Sequence, residues 1–122
     1  MAMTEAGLRR CVAAWPGVTL DVKWQDHLVA CVDGRMFAML NLPRSAHPDW
    51  LHFKVEDDLF LALTEQPGIM PAPYLARARW VTVTEPRRYP QDWTVARLRR
   101  AYELVAARLS KKRQRELGLW SA

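Results

Sequence analysis

Apolar residues near the start of the chain recur at the spacing of a helix. Positions i, i+3, i+4 and i+7 of this stretch are occupied by Leu8, Cys11, Val12 and Trp15. That spacing places them on one stripe of a helix, and the hydroxyl of Thr4 is suited to cap the first turn. Pro16 and Gly17 follow, and neither continues a helix readily. The pattern predicts an N-terminal helix with one buried face.

Strand-like runs fill the next part of the chain. Asp33 and Gly34 join two of them, and an Asp-Gly pair suits the positive φ angles of a tight hairpin turn. The proline-containing segment 69–76 is predicted to be a packed loop. These patterns indicate an antiparallel sheet of about five strands, formed by the runs 18–24, 28–32, 35–42, 49–55 and 75–88.

Two further helices are predicted. The segment EDDLFLALTEQPG (56–68) opens with three acidic residues, which complement the positive end of a helix dipole. A longer helix begins at about Asp92 or Thr94, and the basic segment 111–122 is predicted to continue past its end as a tail. The apolar face of this longer helix consists of Leu98, Ala101, Tyr102, Val105 and Leu109.

These elements make up a single predicted domain over residues 1–122. The fold class is α+β, with the antiparallel sheet packed against an N-terminal helix, a short middle helix and a long C-terminal helix. A chain of 122 residues is long enough to form one hydrophobic core.

Charge is distributed unevenly along this domain. The whole chain has a net charge of +5. Residues 1–76 contain six basic and nine acidic residues, whereas residues 77–122 contain twelve basic and four acidic ones. A strongly basic C-terminal third suggests an acidic partner, commonly nucleic acid.

Several other classes of function are disfavoured. No uncharged stretch reaches the length of a membrane span, so we expect a cytoplasmic protein. His47, Asp49 and His52 lack a spacing that makes metal ligands converge, and neither a nucleophile elbow nor a Gly-rich phosphate loop is present. We therefore expect a protein that is not an enzyme, with no metal and no cofactor.

The arginines around the fifth strand raise the question of a nucleic-acid surface. Strand alternation would place Arg77 and Arg79 on one side of the strand and Trp80 on the other. Trp80 is predicted to anchor the core, while the arginines contact phosphates. The candidate nucleic-acid contacts are Arg77, Arg79, Arg87, Arg88, Arg97, Arg100, Arg108, Lys111, Lys112, Arg113 and Arg115.

Three segments resemble the MmcQ/YjbR family of small bacterial proteins: VKWQDHLVACVDGRMFAMLNL (22–42), PGIMPAPYLARARWVTV (67–83) and LRRAYELVAARLSKKRQ (98–114). The resemblance implies a frataxin-like α+β domain and a "double wing" arrangement that binds DNA. Ala101 stands where the family helix usually carries serine before the tyrosine, here Tyr102.

Two hypotheses of function follow. The first is a DNA-binding domain of low sequence specificity, with the Asp33-Gly34 hairpin as one wing. The second is a protein-interaction module in which Trp50 or Trp120 meets a partner protein and the basic helix is only a soluble surface. In either case we expect a monomer or a weak dimer.

Overall fold

The computed structural model describes residues 3–119, which form an α+β domain with one six-stranded antiparallel sheet. The helices are α1 (Glu5–Val12), α2 (Asp57–Thr64), α3 (Gln91–Ala106) and α4 (Lys111–Glu116). The strands are β1 (Val18–Lys23), β2 (His27–Val32), β3 (Arg35–Asn41), β4 (Leu51–Lys54), β5 (Ile69–Pro71) and β6 (Trp80–Val83). Short 3₁₀ turns occupy Ala76–Ala78 and Pro86–Arg88.

The sheet has the strand order β1-β2-β3-β4-β6-β5. The predicted hairpin joins β2 to β3, and its turn residues Asp33 and Gly34 have φ angles of 49° and 81°. Both angles lie in the left-handed region that an Asp-Gly turn accommodates. The predicted turn is therefore confirmed.

One face of the sheet forms the main core against the helices. The predicted apolar faces of α1 and α3 are buried there, including Leu8, Leu98 and Tyr102. Alternate strand residues such as Leu40 and Phe53 meet them from the sheet. Thr4 caps α1 by accepting a hydrogen bond from the Gly7 amide at 2.9 Å, as predicted.

The other face, which we call the open face, has a second and smaller apolar cluster. Trp80 is buried there with Val29, Cys31, Met39 and Ala72. Trp80 is thus a core anchor as predicted. The residues that cover it come from the segment after β5 and from the strands themselves, because α1 and α3 pack on the opposite face.

The sheet contains one strand more than the five predicted. Ile69–Pro71, which we expected to be loop, pairs with β6 in the register Ile69↔Val83 to Pro71↔Val81. This strand lies at the edge of the sheet. Proline is tolerated there because an edge strand can leave one side unpaired, so the two prolines of the segment did not exclude a strand.

The strand predicted for 75–88 is much shorter in the structure. Residues 76–78 form a 3₁₀ turn, and Arg79 follows with φ at 62° before β6 begins at Trp80. The prediction that strand alternation places Arg77 and Arg79 on the side opposite Trp80 is therefore wrong, because neither arginine lies in the strand. A left-handed residue interrupts the extended backbone that strand periodicity requires.

The C-terminal end also differs from the prediction. The residue preceding α3 is Pro90, so the helix begins earlier than Asp92 or Thr94. The basic tail is not a simple extension, because Ser110 accepts a hydrogen bond from the Arg113 amide at 3.1 Å and starts α4. Along residues 3–119, no helix is long and apolar enough to cross a membrane.

Tyr102 joins α3 to the turn after α1. Its buried ring lies 5.3 Å from the ring of Trp15, and its hydroxyl donates a 2.6 Å hydrogen bond to the carbonyl of Pro16. The tyrosine that follows Ala101 therefore has a structural partner within the fold.

Removing the Tyr102 hydroxyl should destabilise the domain. The substitution Tyr102→Phe leaves the Pro16 carbonyl without its donor, so the free energy of unfolding should fall by about 1 kcal/mol or more. Tyr89→Phe is a matched control, because the Tyr89 hydroxyl donates an exposed bond of the same length, 2.6 Å, to the Pro67 carbonyl. Urea unfolding should show a smaller loss for the control, and equal losses would contradict the assignment.

Candidate functional site

The arginines next to β6 differ in their surroundings. Arg77 is exposed on the 3₁₀ turn. Arg79 forms an ion pair with Asp57 at 3.3 Å, and its guanidinium lies 5.4 Å from the centre of the Phe60 ring. Arg79 therefore attaches the start of α2 to the sheet, whereas Arg77 extends into solvent.

Arg87 and Arg88 lie on the second 3₁₀ turn and line a shallow concavity of about 640 Å³. Pro48, Asp49 and Glu85 also line the concavity. Arg88 pairs with Glu85 at 2.9 Å. Arg87 is exposed and forms no ion pair with a carboxylate of the described chain.

On α3, Arg100 pairs with Glu56 and with Glu103, each at 3.4 Å. One oxygen of Glu56, Oε1, is buried and has no hydrogen-bond partner within residues 3–119. Arg97 is half-buried, and Arg108, which lies just after the helix, is exposed. These three candidate nucleic-acid contacts are thus in three different environments.

Arg113 connects α4 to the β2–β3 hairpin. Its Nη2 and Nε atoms donate to Oδ1 of Asp33 at 2.9 and 3.1 Å. This hydrogen bond lowers the pKa of the Asp33 carboxyl and raises that of Arg113. The β2–β3 hairpin, which was predicted to act as a wing, is therefore attached to α4 through Asp33 of its own turn.

Four candidate residues form what we call the basic patch, in the turn after α3 and along α4. All four side chains are exposed, and none forms an ion pair with a carboxylate in the described part of the chain. The patch consists of Arg108, Lys111, Lys112 and Arg115.

A second site, which we call the open-face pocket, lies on the side of the sheet away from α3. It is a cavity of about 500 Å³, a size common among ligand sites. Its base includes Met36, Met39, Asn41 and His52. Its rim consists of Trp24, His27, His47, Trp50, Pro73 and Tyr74.

A hydrogen-bonded network forms the polar part of the base. The amide nitrogen of Asn41 donates to the His47 carbonyl at 2.9 Å, so its oxygen is free to accept from Nε2 of His52, also at 2.9 Å. Nδ1 of His52 then accepts from the Thr82 hydroxyl at 2.8 Å. Burial, helped by the nearby His27, lowers the pKa of His52 to about 4. His52 is therefore neutral at physiological pH.

His27 presents a nitrogen to the pocket. Its Nδ1 lies 2.5 Å from a carboxylate oxygen of Asp26, which fixes the proton on that nitrogen. No protein atom of residues 3–119 hydrogen-bonds to its Nε2. In the neutral form of His27, Nε2 is an unused acceptor beside Trp24, whose ring centre is 5.7 Å from that of His27 at an interplanar angle of 85°.

The residues considered for a metal site do not converge. His52 is engaged by Asn41 and Thr82, and the ring of His47 instead stacks on Trp50 with centres 3.9 Å apart. Between residues 3 and 119 no group of three His, Cys, Asp or Glu side chains is arranged to hold a metal ion.

The structure describes only one of the two tryptophans of the protein-interaction hypothesis. Trp50 is half-buried beside His47 and lines the open-face pocket. Trp120 lies outside the described residues. The interaction hypothesis therefore stays a prediction.

The open-face pocket was not predicted from the sequence. A signal was present, because Trp50 and His52 alternate with the core residues of β4 and His27 opens β2. The pocket also requires the segment 73–75 to lie over the sheet, and no local pattern indicates this.

The comparisons with known proteins agree with the fold. The YjbR family model matches residues 13–104, which is more than half of the chain. The chain therefore belongs to the YjbR family, and the predicted family resemblance is confirmed. Among curated proteins, none is similar enough to this sequence to count as a match.

Two solved structures are similar. The Deinococcus radiodurans protein DR2400, with the family-model domain DUF419, has a TM-score of 0.83 and 27% sequence identity, covering 97% of this chain and 90% of its own. A Pseudomonas syringae protein has a TM-score of 0.65 at 19% identity, covering 84% of this chain and 98% of its own. The second likeness shows a common fold alone.

The lowered pKa of His52 should make stability depend on pH. The unfolded chain binds a proton near the ordinary value of 6.5, whereas the native state stays neutral down to about 4. The contribution of neutral His52 to the free energy of unfolding is thus fully present above about pH 6.5. It is lost as pH falls, by about 2 kcal/mol between about pH 7 and pH 5. Urea unfolding of wild type and His52→Gln should show this decrement only in the wild type; the same decrement in both would contradict it.

Proposed function

We propose that the protein is a non-enzymatic DNA-binding domain of low sequence specificity. The observation that carries the proposal is the basic patch, four exposed cations on α4 and the turn before it that form no ion pair with a carboxylate among the described residues. Cations that have no partner in the protein attract phosphates and release their counterions when they bind.

The charge of the surrounding helices supports this role. Residues 91–116, from the start of α3 to the end of α4, contain eight basic and three acidic residues, a net charge of +5. Residues 1–76 have a net charge of −3 by contrast. The field of the domain is therefore positive on the C-terminal side and would steer a polyanion there.

The hairpin next to the patch fits the wing that the family resemblance implies. Arg113 holds α4 against Asp33 at the tip of the β2–β3 hairpin, with N–O distances of 2.9 and 3.1 Å. Because this contact places α4 beside the hairpin, a DNA backbone that lies along α4 would also meet the hairpin. The geometry thus suits one continuous contact surface.

Low specificity follows from the kind of contact. Side chains that neutralise phosphates position a protein on DNA but carry no sequence information. The strongest candidates in the proposal are the four residues of the basic patch, with Arg77 and Arg87 as exposed additions on other turns. Arg79, Arg88, Arg100 and Arg113 already have acidic partners and contribute mainly to the fold.

The double substitution Lys111→Gln/Arg115→Gln tests the patch. These residues lie four apart on α4, so both project on one side of it. If both contact phosphates, the slope of log affinity against log salt should become shallower by about 2. The measurement is fluorescence anisotropy with a labelled random duplex over a series of salt concentrations.

The control is Arg9→Gln/Arg10→Gln, which removes the same charge from α1. Arg9 pairs with Glu5 at 2.9 Å, and both arginines are exposed. This variant should keep the salt slope of the wild type. An identical slope for all three proteins, or no binding at low salt, would refute the proposal and favour the protein-interaction hypothesis.

A further inference from the structure

We propose that the open-face pocket binds one nucleobase, a flat and uncharged heteroaromatic ring with an N–H donor. The pocket lies on the opposite face of the sheet from the helix core, so the proposal does not depend on DNA binding by the basic patch. Three features support it: the aromatic rim, the uncharged lining, and an adjacent concavity lined by arginine.

Two aromatic rings of the rim are exposed to solvent instead of being buried in a core. Trp24 is 64% exposed and Tyr74 is fully exposed, although large aromatic side chains usually contribute to a core. Trp50 already stacks with His47 at an interplanar angle of 12°, so this rim accommodates a flat ring on its neighbour. Stacking on aromatic side chains is the general way in which proteins hold an unpaired base.

The backbone of the rim is held in an unfavourable conformation. Trp24, Gln25, Asp49 and Tyr74 have φ angles of 54°, 69°, 70° and 65°. These are four of the six non-glycine residues with positive φ in the described chain, and all lie in or next to the pocket lining. Such strain is retained where the surrounding structure fixes side chains for a purpose.

The polar groups of the lining select for a neutral ring. Among the described residues that line the cavity, none is Asp, Glu, Lys or Arg, so a small cation would find aromatic rings but no carboxylate. Asn41 and His52 are satisfied by each other and by their neighbours. In its neutral form, His27 can accept at its unused Nε2 from an N–H group of the ligand, a donor that nucleobases carry.

The adjacent concavity provides for a phosphate. Residues 47–50 contribute to both cavities: His47 and Trp50 line the pocket, while Pro48 and Asp49 line the concavity, together with Glu85 and Arg87. A base in the pocket can thus have its phosphate near Arg87. The shared chemistry is that of a nucleotide, either free in solution or as an unpaired residue of a single strand.

The experiment uses the indole N–H signals of Trp24 and Trp50 in ¹H–¹⁵N spectra, assigned with Trp24→Phe and Trp50→Phe. Adenosine, adenosine 5′-monophosphate, ribose 5-phosphate and tetramethylammonium are titrated separately. The two base-containing probes should shift both indole signals, and the other two should not. Shifts by tetramethylammonium alone, or by no probe, would overturn the proposal.

Variants separate the contributions. Tyr74→Ala should weaken adenosine binding about tenfold, because it removes one stacking ring. Leu61→Ala, at a 70% exposed apolar position on α2, is the matched control and should leave the affinity unchanged. Arg87→Gln should weaken binding of the monophosphate but not of adenosine. Equal effects of Tyr74→Ala and Leu61→Ala would contradict the site.

A single-stranded oligonucleotide distinguishes the two sources of the base. If the ligand is a nucleic acid strand, the oligonucleotide should shift the same indole signals at about tenfold lower concentration than the monophosphate, and Tyr74→Ala should reduce this gain. If the ligand is a free nucleotide, the oligonucleotide should bind no more tightly at these signals. Loss of DNA binding in Lys111→Gln/Arg115→Gln with intact adenosine shifts would show that the two proposals are independent.

Discussion

The structure depends on how the two faces of its six-stranded sheet are covered. Helices α1 and α3 pack on only one face, where Tyr102 and Phe53 belong to the main core. The other face buries Trp80 and part of β2 and β3 beneath the segment that follows β5. Because that segment is short, it leaves part of the face to the His52 network and the aromatic rim. The open-face pocket is a consequence of this incomplete cover.

Ion pairing divides the arginines into two groups. Arg79, Arg100 and Arg113 each connect separate elements: β6 to α2, α3 to the start of α2, and α4 to the β2–β3 hairpin. The basic patch has no such role, so its charges remain available to a polyanion. The same residue type therefore stabilises the fold in one place and serves as a candidate ligand contact in another, and only the position of nearby carboxylates distinguishes them.

Much of the fold could be predicted from local patterns. The helical spacing of Leu8 and Leu98, the Asp33-Gly34 turn and the core role of Trp80 are set by residues close in sequence. The strand at 69–71 and the turn at 76–78 were missed because pairing with β6 overrode the prolines, and the left-handed Arg79 ended the extended run. Ion pairs and the pocket join residues distant in sequence, such as Asp33 with Arg113, so periodicity could not reveal them.

The uncovered part of the second sheet face is proposed as a site for a flat heteroaromatic ring. A crystal structure of the protein with adenosine 5′-monophosphate tests it most directly. The adenine ring is expected in the open-face pocket, against Trp24 or Trp50 and within hydrogen-bond distance of Nε2 of His27. An adenine ring bound elsewhere, with the pocket empty of it, would contradict the proposed site.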